Sequence, residues 1–127
     1  MARIRSKGTT PEMRVRKILH AKGLRYRLHR HDLPGRPDIV LPRHQLIVFV
    51  HGCFWHGHAC SRSHVPRSNL EYWLPKITRN KQRHQRTVRA LRRMGWSVAV
   101  VWECQIERGV ALVLRKIAQT NVHVKVP

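Results

Sequence analysis

The amino-acid sequence predicts an α/β domain in which helices pack around a small mixed sheet. The 127 residues suffice for one hydrophobic core and not for two. Short apolar runs of strand length alternate with longer stretches that have helical periodicity. The resulting order is α-β-β-β-α-β-α, which is typical of an α/β sandwich.

The first half of the chain predicts one helix and three strands. Thr9 or Thr10 can cap the helix, Pro11 fits its first turn, and Gly23 ends it. The predicted strands are separated by turn residues and cover 25–28, 38–41 and 46–51. The last two strands are joined so tightly that they should pair antiparallel.

The second half predicts a loop and then a long helix from Pro75 to Met94, with Gly95 as its stop. The apolar stripe of this helix is interrupted by Asn80 and His84. Polar residues at these positions indicate either a helix that faces a functional site or a solvent-exposed face on a curved helix.

A buried strand over 96–102 and a final helix over 110–117 complete the predicted elements. We expect residues 1–127 to form a single domain, with a basic N-terminal arm over 1–8 and a flexible tail over 119–127.

The charge of the chain indicates a polyanionic partner. Lys and Arg together number 26 against 6 Asp and Glu, which gives a formal net charge of +20. Nucleic acid is the first candidate, and a ribosomal or merely solubilising role is the alternative. Because acids are scarce, each of them is a candidate for a metal-dependent reaction.

The basic N-terminus lacks an apolar leader, and the longest apolar run, 46–50, is too short to span a bilayer. We therefore expect a cytoplasmic protein without a membrane partner. Three cysteines in a reducing compartment favour metal ligation or burial over disulfides.

Residues 50–60 concentrate three histidines, two cysteines and an adjacent pair of large aromatics. Within this stretch Cys53, His58 and Cys60 have the pattern C-x4-H-x-C, and the remaining cysteine is Cys104. Together the four predict a tetrahedral structural zinc site. The alternative is three buried thiols that act as small hydrophobic side chains.

A second group of residues predicts phosphodiester chemistry. Asp38 opens one strand of the predicted hairpin, and the other strand leads into His51 and His56. A carboxylate can bind Mg²⁺, and a histidine can take the proton from an attacking water. Alternatively, Asp38 merely holds the preceding turn through an Asx-type bond.

Three motifs of the chain resemble the very short patch repair (Vsr) mismatch endonucleases: PGRPD over 34–38, VFVHGCFWHGHAC over 48–60, and VWEC over 101–104. The segments RIRSK over 3–7 and PEM over 11–13 also resemble the first helix of that family. The resemblance is collinear from residue 1 to about residue 104. It implies a restriction-endonuclease-like fold of the PD-(D/E)xK type and Mg²⁺-dependent nicking of double-stranded DNA 5′ of the mispaired T at a T·G mismatch. The alternatives are a nicking or restriction-type DNA endonuclease of other specificity and a catalytically weak, zinc-stabilised DNA-binding module.

The resemblance also implies roles for individual residues. Asp38 would bind Mg²⁺ with help from the backbone carbonyl of Val50. His56 would be the general base, and His51 would support the phosphate or the water on the metal. Glu12 would line the same site.

The zinc ligands of the family fall on Cys53, His58, Cys60 and Cys104. This is the set that the C-x4-H-x-C pattern and the remaining cysteine also predict. The aromatics that this family inserts into the base stack fall on Phe54, Trp55 and Trp73, whereas burial within the core is the reading from sequence alone. Trp96 and Trp102 are assigned to packing.

One position departs from the family pattern. The family commonly has an acid one helical turn after the asparagine that matches Asn80, and this chain has His84 there. An acid would make His56 more basic, whereas a second histidine would not. We expect a monomer, and mismatch-repair proteins as the partners that the resemblance implies.

Overall fold

The computed structural model of the protein describes residues 10–53 and 70–125, and the predicted order of helices and strands is confirmed there. The helices are α1 (Thr10–Ala21), α2 (Leu70–Arg93) and α3 (Ile106–Lys125). The strands are β1 (Arg27–Leu28), β2 (Ile39–Leu41), β3 (Leu46–His51) and β4 (Ser97–Trp102).

The four strands form one mixed sheet in the order β1-β2-β3-β4. β1 and β2 pair antiparallel, and β2 and β3 also pair antiparallel, as predicted for the tight hairpin. β3 and β4 are parallel, with His51 opposite Trp102 at their common carboxyl end. This parallel pair brings the segment after β3 and the segment after β4 to one edge of the sheet.

The two faces of the sheet carry separate apolar clusters. Leu46 and Val48 of β3 pack with buried residues of α1 and α3. Ile47 and Phe49, which alternate with them, pack with Leu91 of α2. The period-two alternation of a strand therefore places α1 and α3 on one face and α2 on the other. The result is a three-layer α/β/α sandwich.

The predicted bounds of two helices were wrong. α2 begins at Leu70 and contains Pro75, whereas the predicted helix began at that proline. Pro75 is the sixth residue of α2, so it has no N–H to donate to the Glu71 carbonyl, and the helix lacks one backbone hydrogen bond at this point. α3 extends over 106–125, beyond the predicted 110–117, and so includes residues 119–125, where a tail was expected. None of the described helices is long and apolar enough to cross a membrane.

The turn before β2 packs closely against α2. Gly35 has a φ of +76°, and a Cβ at this residue would overlap the Thr87 side chain. Glycine is therefore required both for the backbone conformation and for the close approach. This contact fixes the entry of the chain into Asp38 and β2.

Candidate active site

Three titratable side chains meet where α1, β1 and β2 come together. Glu12 lies in the first turn of α1, His29 directly follows β1, and Asp38 directly precedes β2. Their ligand atoms all lie within 4.8 Å of one another. We call this group the carboxylate cluster.

The cluster is joined to the strand next to β2 by a hydrogen bond. The backbone N–H of Val50 donates to Oδ2 of Asp38 at 2.9 Å. The expectation that Asp38 lies beside the end of β3 is thus confirmed. The carboxylate of Asp38 accepts this bond from the adjacent strand β3. An Asx-type bond would instead stay within the turn that precedes β2.

Burial raises the pKa of Asp38 to about 6, with a smaller increase from the nearby charge of Glu12. The hydrogen bond from the Val50 N–H and the positive charge of His29 act in the opposite direction. Removal from water is therefore the largest effect on the pKa of Asp38, because the ionised carboxylate loses its hydration when it is buried. A cation would restore the charged form.

Glu12 is almost completely buried, with 2% of its surface exposed. Its Oε2 lies 3.0 Å from Nε2 of His29 and 3.6 Å from the guanidinium of Arg16. A buried acid needs compensation of this kind. The position of Glu12 beside Asp38 agrees with its predicted place at the site.

Aromatic and imidazole rings form a second group on the α2 side of the sheet, which we call the histidine cluster. The rings of His51 and His84 meet edge to face, with centroids 4.4 Å apart. Trp102 of the neighbouring strand lies 5.3 Å from His51. Phe49 lies 5.2 Å from His84 and 5.8 Å from His51.

The contact between His84 and His51 decides between the two interpretations of the polar stripe on α2. His84 faces the end of β3, so at this position the helix faces the candidate site. Burial lowers the pKa of His84, which favours its neutral form at neutral pH. Asn80, one turn earlier on the helix, is half-buried.

Two of the predicted zinc ligands lie in the described part of the chain. Cys53 and Cys104 each follow by two residues the pair formed by His51 and Trp102, where the parallel strands end. The N–H of Cys53 donates to Oε1 of Glu103 at 2.9 Å, which ties the two segments together. The register therefore brings the two cysteines to the same edge of the sheet.

The remaining predicted residues of this region lie outside the described residues: Phe54, Trp55, His56, His58 and Cys60. Trp73 is described, and it lies in α2 with its ring centroid 4.8 Å from that of Tyr72. The Lys76 ammonium lies 4.8 Å from the centre of the Tyr72 ring, and Tyr72 is 56% exposed. This end of α2 thus presents aromatic and basic groups together.

Sequence reasoning missed three residues of the site. His29 has no motif around it, and only the pairing of β1 with β2 brings it opposite Asp38. Trp102 was assigned to packing, yet its ring also contacts His51. Glu103 is one of the six acids whose scarcity makes them candidates, but its bond to the Cys53 N–H was not predicted.

Comparison with known proteins finds the same family that the sequence motifs resemble. The family model described as DNA mismatch endonuclease Vsr matches residues 1–62. The type II nicking enzyme V.XorIIP of Xanthomonas oryzae pv. oryzae is 57% identical over 106 residues, which cover 84% of this chain and 78% of that enzyme. The type II nicking enzyme V.NmeAIP of Neisseria meningitidis is 47% identical, over 84% of this chain and 76% of its own length. The DNA mismatch endonuclease Vsr of Escherichia coli is 41% identical, over 84% of this chain and 68% of its own length.

Proposed function

This chain belongs to the Vsr family of DNA endonucleases, and we propose that it nicks double-stranded DNA at T·G mismatches, on the 5′ side of the mispaired thymine. The observation that carries the proposal is the carboxylate cluster, which joins Glu12 and Asp38 to the strand that leads into the histidines. In a chain of formal charge +20, two of the 6 acids are concentrated at this point.

The residues of the cluster fit a divalent cation. Asp38 and Glu12 offer hard oxygen ligands, and the raised pKa of Asp38 reflects the removal of its carboxylate from water. Asp38 and the carbonyl of Val50 would hold Mg²⁺, with Glu12 beside them. When bound, the ion supplies Lewis-acid polarisation of the scissile phosphate and favours ionisation of water.

The histidines supply proton transfer and support for the phosphate. His56 accepts the proton of the attacking water, since an imidazole titrates near neutral pH. His51, whose ring contacts those of Trp102 and His84, would support the phosphate or the water on the metal. His84 stands where an acid would orient the base, so it positions its neighbours by ring packing without adding negative charge.

We propose that a structural zinc ion is bound by Cys53, His58, Cys60 and Cys104. The support is the parallel register, which gives Cys53 and Cys104 the same offset from the last strand pair. Four ligands of this type make a closed tetrahedral site. Zinc would fix the loop after β3 and thereby the spacing between the general base and the groups that contact the bases.

Mismatch recognition is assigned to Phe54, Trp55 and Trp73. Separating stacked bases costs a few kcal/mol per step and costs least where pairing is already weak, and stacking on an aromatic ring returns about 1–3 kcal/mol per base. The enzyme would therefore detect the weakness of the T·G pair rather than a base code. Mismatch-repair proteins are the proposed partners, and the proposed active form is a monomer.

A second candidate function is nicking at a different sequence or lesion by the same chemistry. It is favoured by the relatives named type II nicking enzymes, which are the more similar of the three. The two functions would differ in how the protein reads the bases on either side of the nick.

The test uses the purified protein with Mg²⁺ on two duplexes that differ only in one T·G pair, with Asp38→Ala as the inactive control. We expect a nick 5′ of the mispaired T, and no nick in the matched duplex or with the variant. Equal nicking of both duplexes would refute mismatch specificity and favour the second candidate function.

The zinc site is tested by metal analysis of the protein and of Cys104→Ala. We expect about one zinc per chain in the parent, a clear loss in the variant, and a lower melting temperature, because ligation contributes directly to folding. His20→Ala, an exposed substitution on α1, should keep its zinc. A clearly substoichiometric content in the folded parent would contradict the four-ligand site.

A further inference from the structure

His29 is held in an unusual backbone conformation beside the carboxylate cluster. Its φ is 47°, in the left-handed region, which few residues other than glycine adopt and which histidine adopts more often than most, with asparagine and aspartate. Its N–H donates to the backbone oxygen of Asp38 at 3.2 Å, which continues the pairing of β1 with β2 by one residue. Strain of this kind persists where surrounding structure enforces it, and it is concentrated at functional sites.

The conformation places the imidazole over the two acids. The His29 side chain is 18% exposed, and its Nε2 lies 3.0 Å from Oε2 of Glu12. A ligand nitrogen of His29 and oxygens of Glu12 and Asp38 lie within 4.8 Å of one another. Two ligands on opposite sides of one ion, each about 2.1 Å from it, are about 4.2 Å apart, so the cluster needs only slight closure around a cation.

The charges of the cluster call for such an ion. Two carboxylates are removed from water here, and the guanidinium of the partly buried Arg16 lies 3.6 Å from Glu12. A divalent cation between the three ligands would balance the charge of both acids and take the imidazole as its third ligand.

We propose that His29 is a direct ligand of the active-site cation, which makes the site a mixed oxygen and nitrogen site with Glu12 and Asp38. This inference rests on the proposed metal-dependent reaction and adds a ligand to it. Imidazole nitrogen suits Mn²⁺, Co²⁺ and similar transition metals better than Mg²⁺, which demands oxygen ligands. The site should therefore bind Mn²⁺ more tightly than Mg²⁺, and His29 should be the source of the preference.

The experiment measures Mn²⁺ binding to the zinc-loaded protein without DNA, by electron paramagnetic resonance titration. Pulsed measurement on the bound ion then detects a directly coordinated imidazole through its ¹⁴N modulation. The variants are His29→Asn, which tolerates the left-handed backbone, and His29→Gln, which keeps a donor within reach of Glu12. His51→Gln and the exposed His20→Gln are the matched controls.

We expect a ¹⁴N signal in the parent and in both control variants, and its loss in both His29 variants. The dissociation constant for Mn²⁺ should rise about tenfold or more in those variants, and that for Mg²⁺ much less. Bound Mn²⁺ without ¹⁴N modulation in the parent, or an unchanged signal in either His29 variant, would overturn the proposal.

The outcome is independent of DNA specificity. If matched and mismatched duplexes are cut equally but the ¹⁴N signal follows His29, the mismatch proposal fails and the ligand assignment stands. If T·G nicking is observed but Mn²⁺ shows no imidazole, the ligand assignment alone fails. In that case His29 acts only by holding Glu12 in place.

Discussion

The carboxylate cluster and the histidine cluster differ in how each is built and in what charge each carries. The carboxylate cluster uses α1 and the antiparallel part of the sheet, and it confines two acids in a buried setting. The histidine cluster uses α2 and the parallel strand pair, and within it burial lowers the pKa of His84 and favours the neutral form of that ring. One cluster needs a cation, and the other packs imidazole and indole rings against one another.

The two clusters meet at two consecutive residues of β3. Val50 donates its N–H to Asp38, and the next residue, His51, belongs to the histidine cluster. Successive residues of a strand point to opposite faces, so β3 can serve one cluster with its backbone and the other with a side chain. A reaction that uses both a bound cation and a histidine needs the two at a fixed distance. β3 provides that distance, because it contacts both clusters.

The largest expected effect comes from Asp38→Asn, which removes the central charge of the carboxylate cluster. We expect nicking to fall by about a thousandfold or more, because metal polarisation contributes several kcal/mol to such reactions. The metal-free protein should at the same time become more stable above pH 7, by up to about 3 kcal/mol. Urea unfolding at several pH values in magnesium-free buffer measures the second effect.

The sign follows from the raised pKa of Asp38, which is about 6 in the folded protein. The folded state holds this proton more tightly than the unfolded chain, so the contribution of the carboxyl to stability is greatest below the unfolded pKa and declines as the pH rises through 6. The gain of Asp38→Asn should therefore appear between about pH 4 and 7. Asp32→Asn is the control, because the exposed Asp32 pairs with Arg30 and its pKa is lowered. A pH-independent gain in Asp38→Asn would contradict the assigned charge.

A smaller effect is expected from His84→Asp, which gives the histidine cluster the acid that the family pattern has. A carboxylate at this position would make His56, the proposed general base, more basic, and we expect about a three- to tenfold faster nicking step near pH 7. Single-turnover rates measured from pH 5.5 to 9 should show the acidic limb displaced to higher pH. His84→Asn is the uncharged control, and an equal gain in that variant would show that the charge is not the cause.

The sequence predicts the fold better than it predicts the site. β3 was placed correctly, because five consecutive apolar residues, 46–50, follow a turn and leave little alternative. α2 was started too late, since Pro75 looks like a first-turn residue until the packing of the whole helix is known. Asp38 could be identified from its hairpin, but His29 could not, because its role depends on the β1–β2 register and on the buried position of Glu12.

The smallest expected effect comes from removing one exposed charge from α2, the layer that carries the histidine cluster. Arg83 is exposed and lies three residues after Asn80, so the two are neighbours on the helix surface. In Arg83→Ala we expect DNA affinity to fall about two- to fivefold, and the slope of log K against log salt to change by about 0.9 if one phosphate contact is lost.

Arg115→Ala is the matched control, because Arg115 is equally exposed but lies on α3, which packs on the opposite face of the sheet. Fluorescence anisotropy with a nicking-incompetent duplex at four salt concentrations gives both affinity and slope. If only Arg83→Ala changes the slope, DNA lies along α2, on the side of the histidine cluster. Equal losses in the two variants would mean that the chain attracts DNA by its overall charge alone, because a localised contact cannot depend equally on both layers.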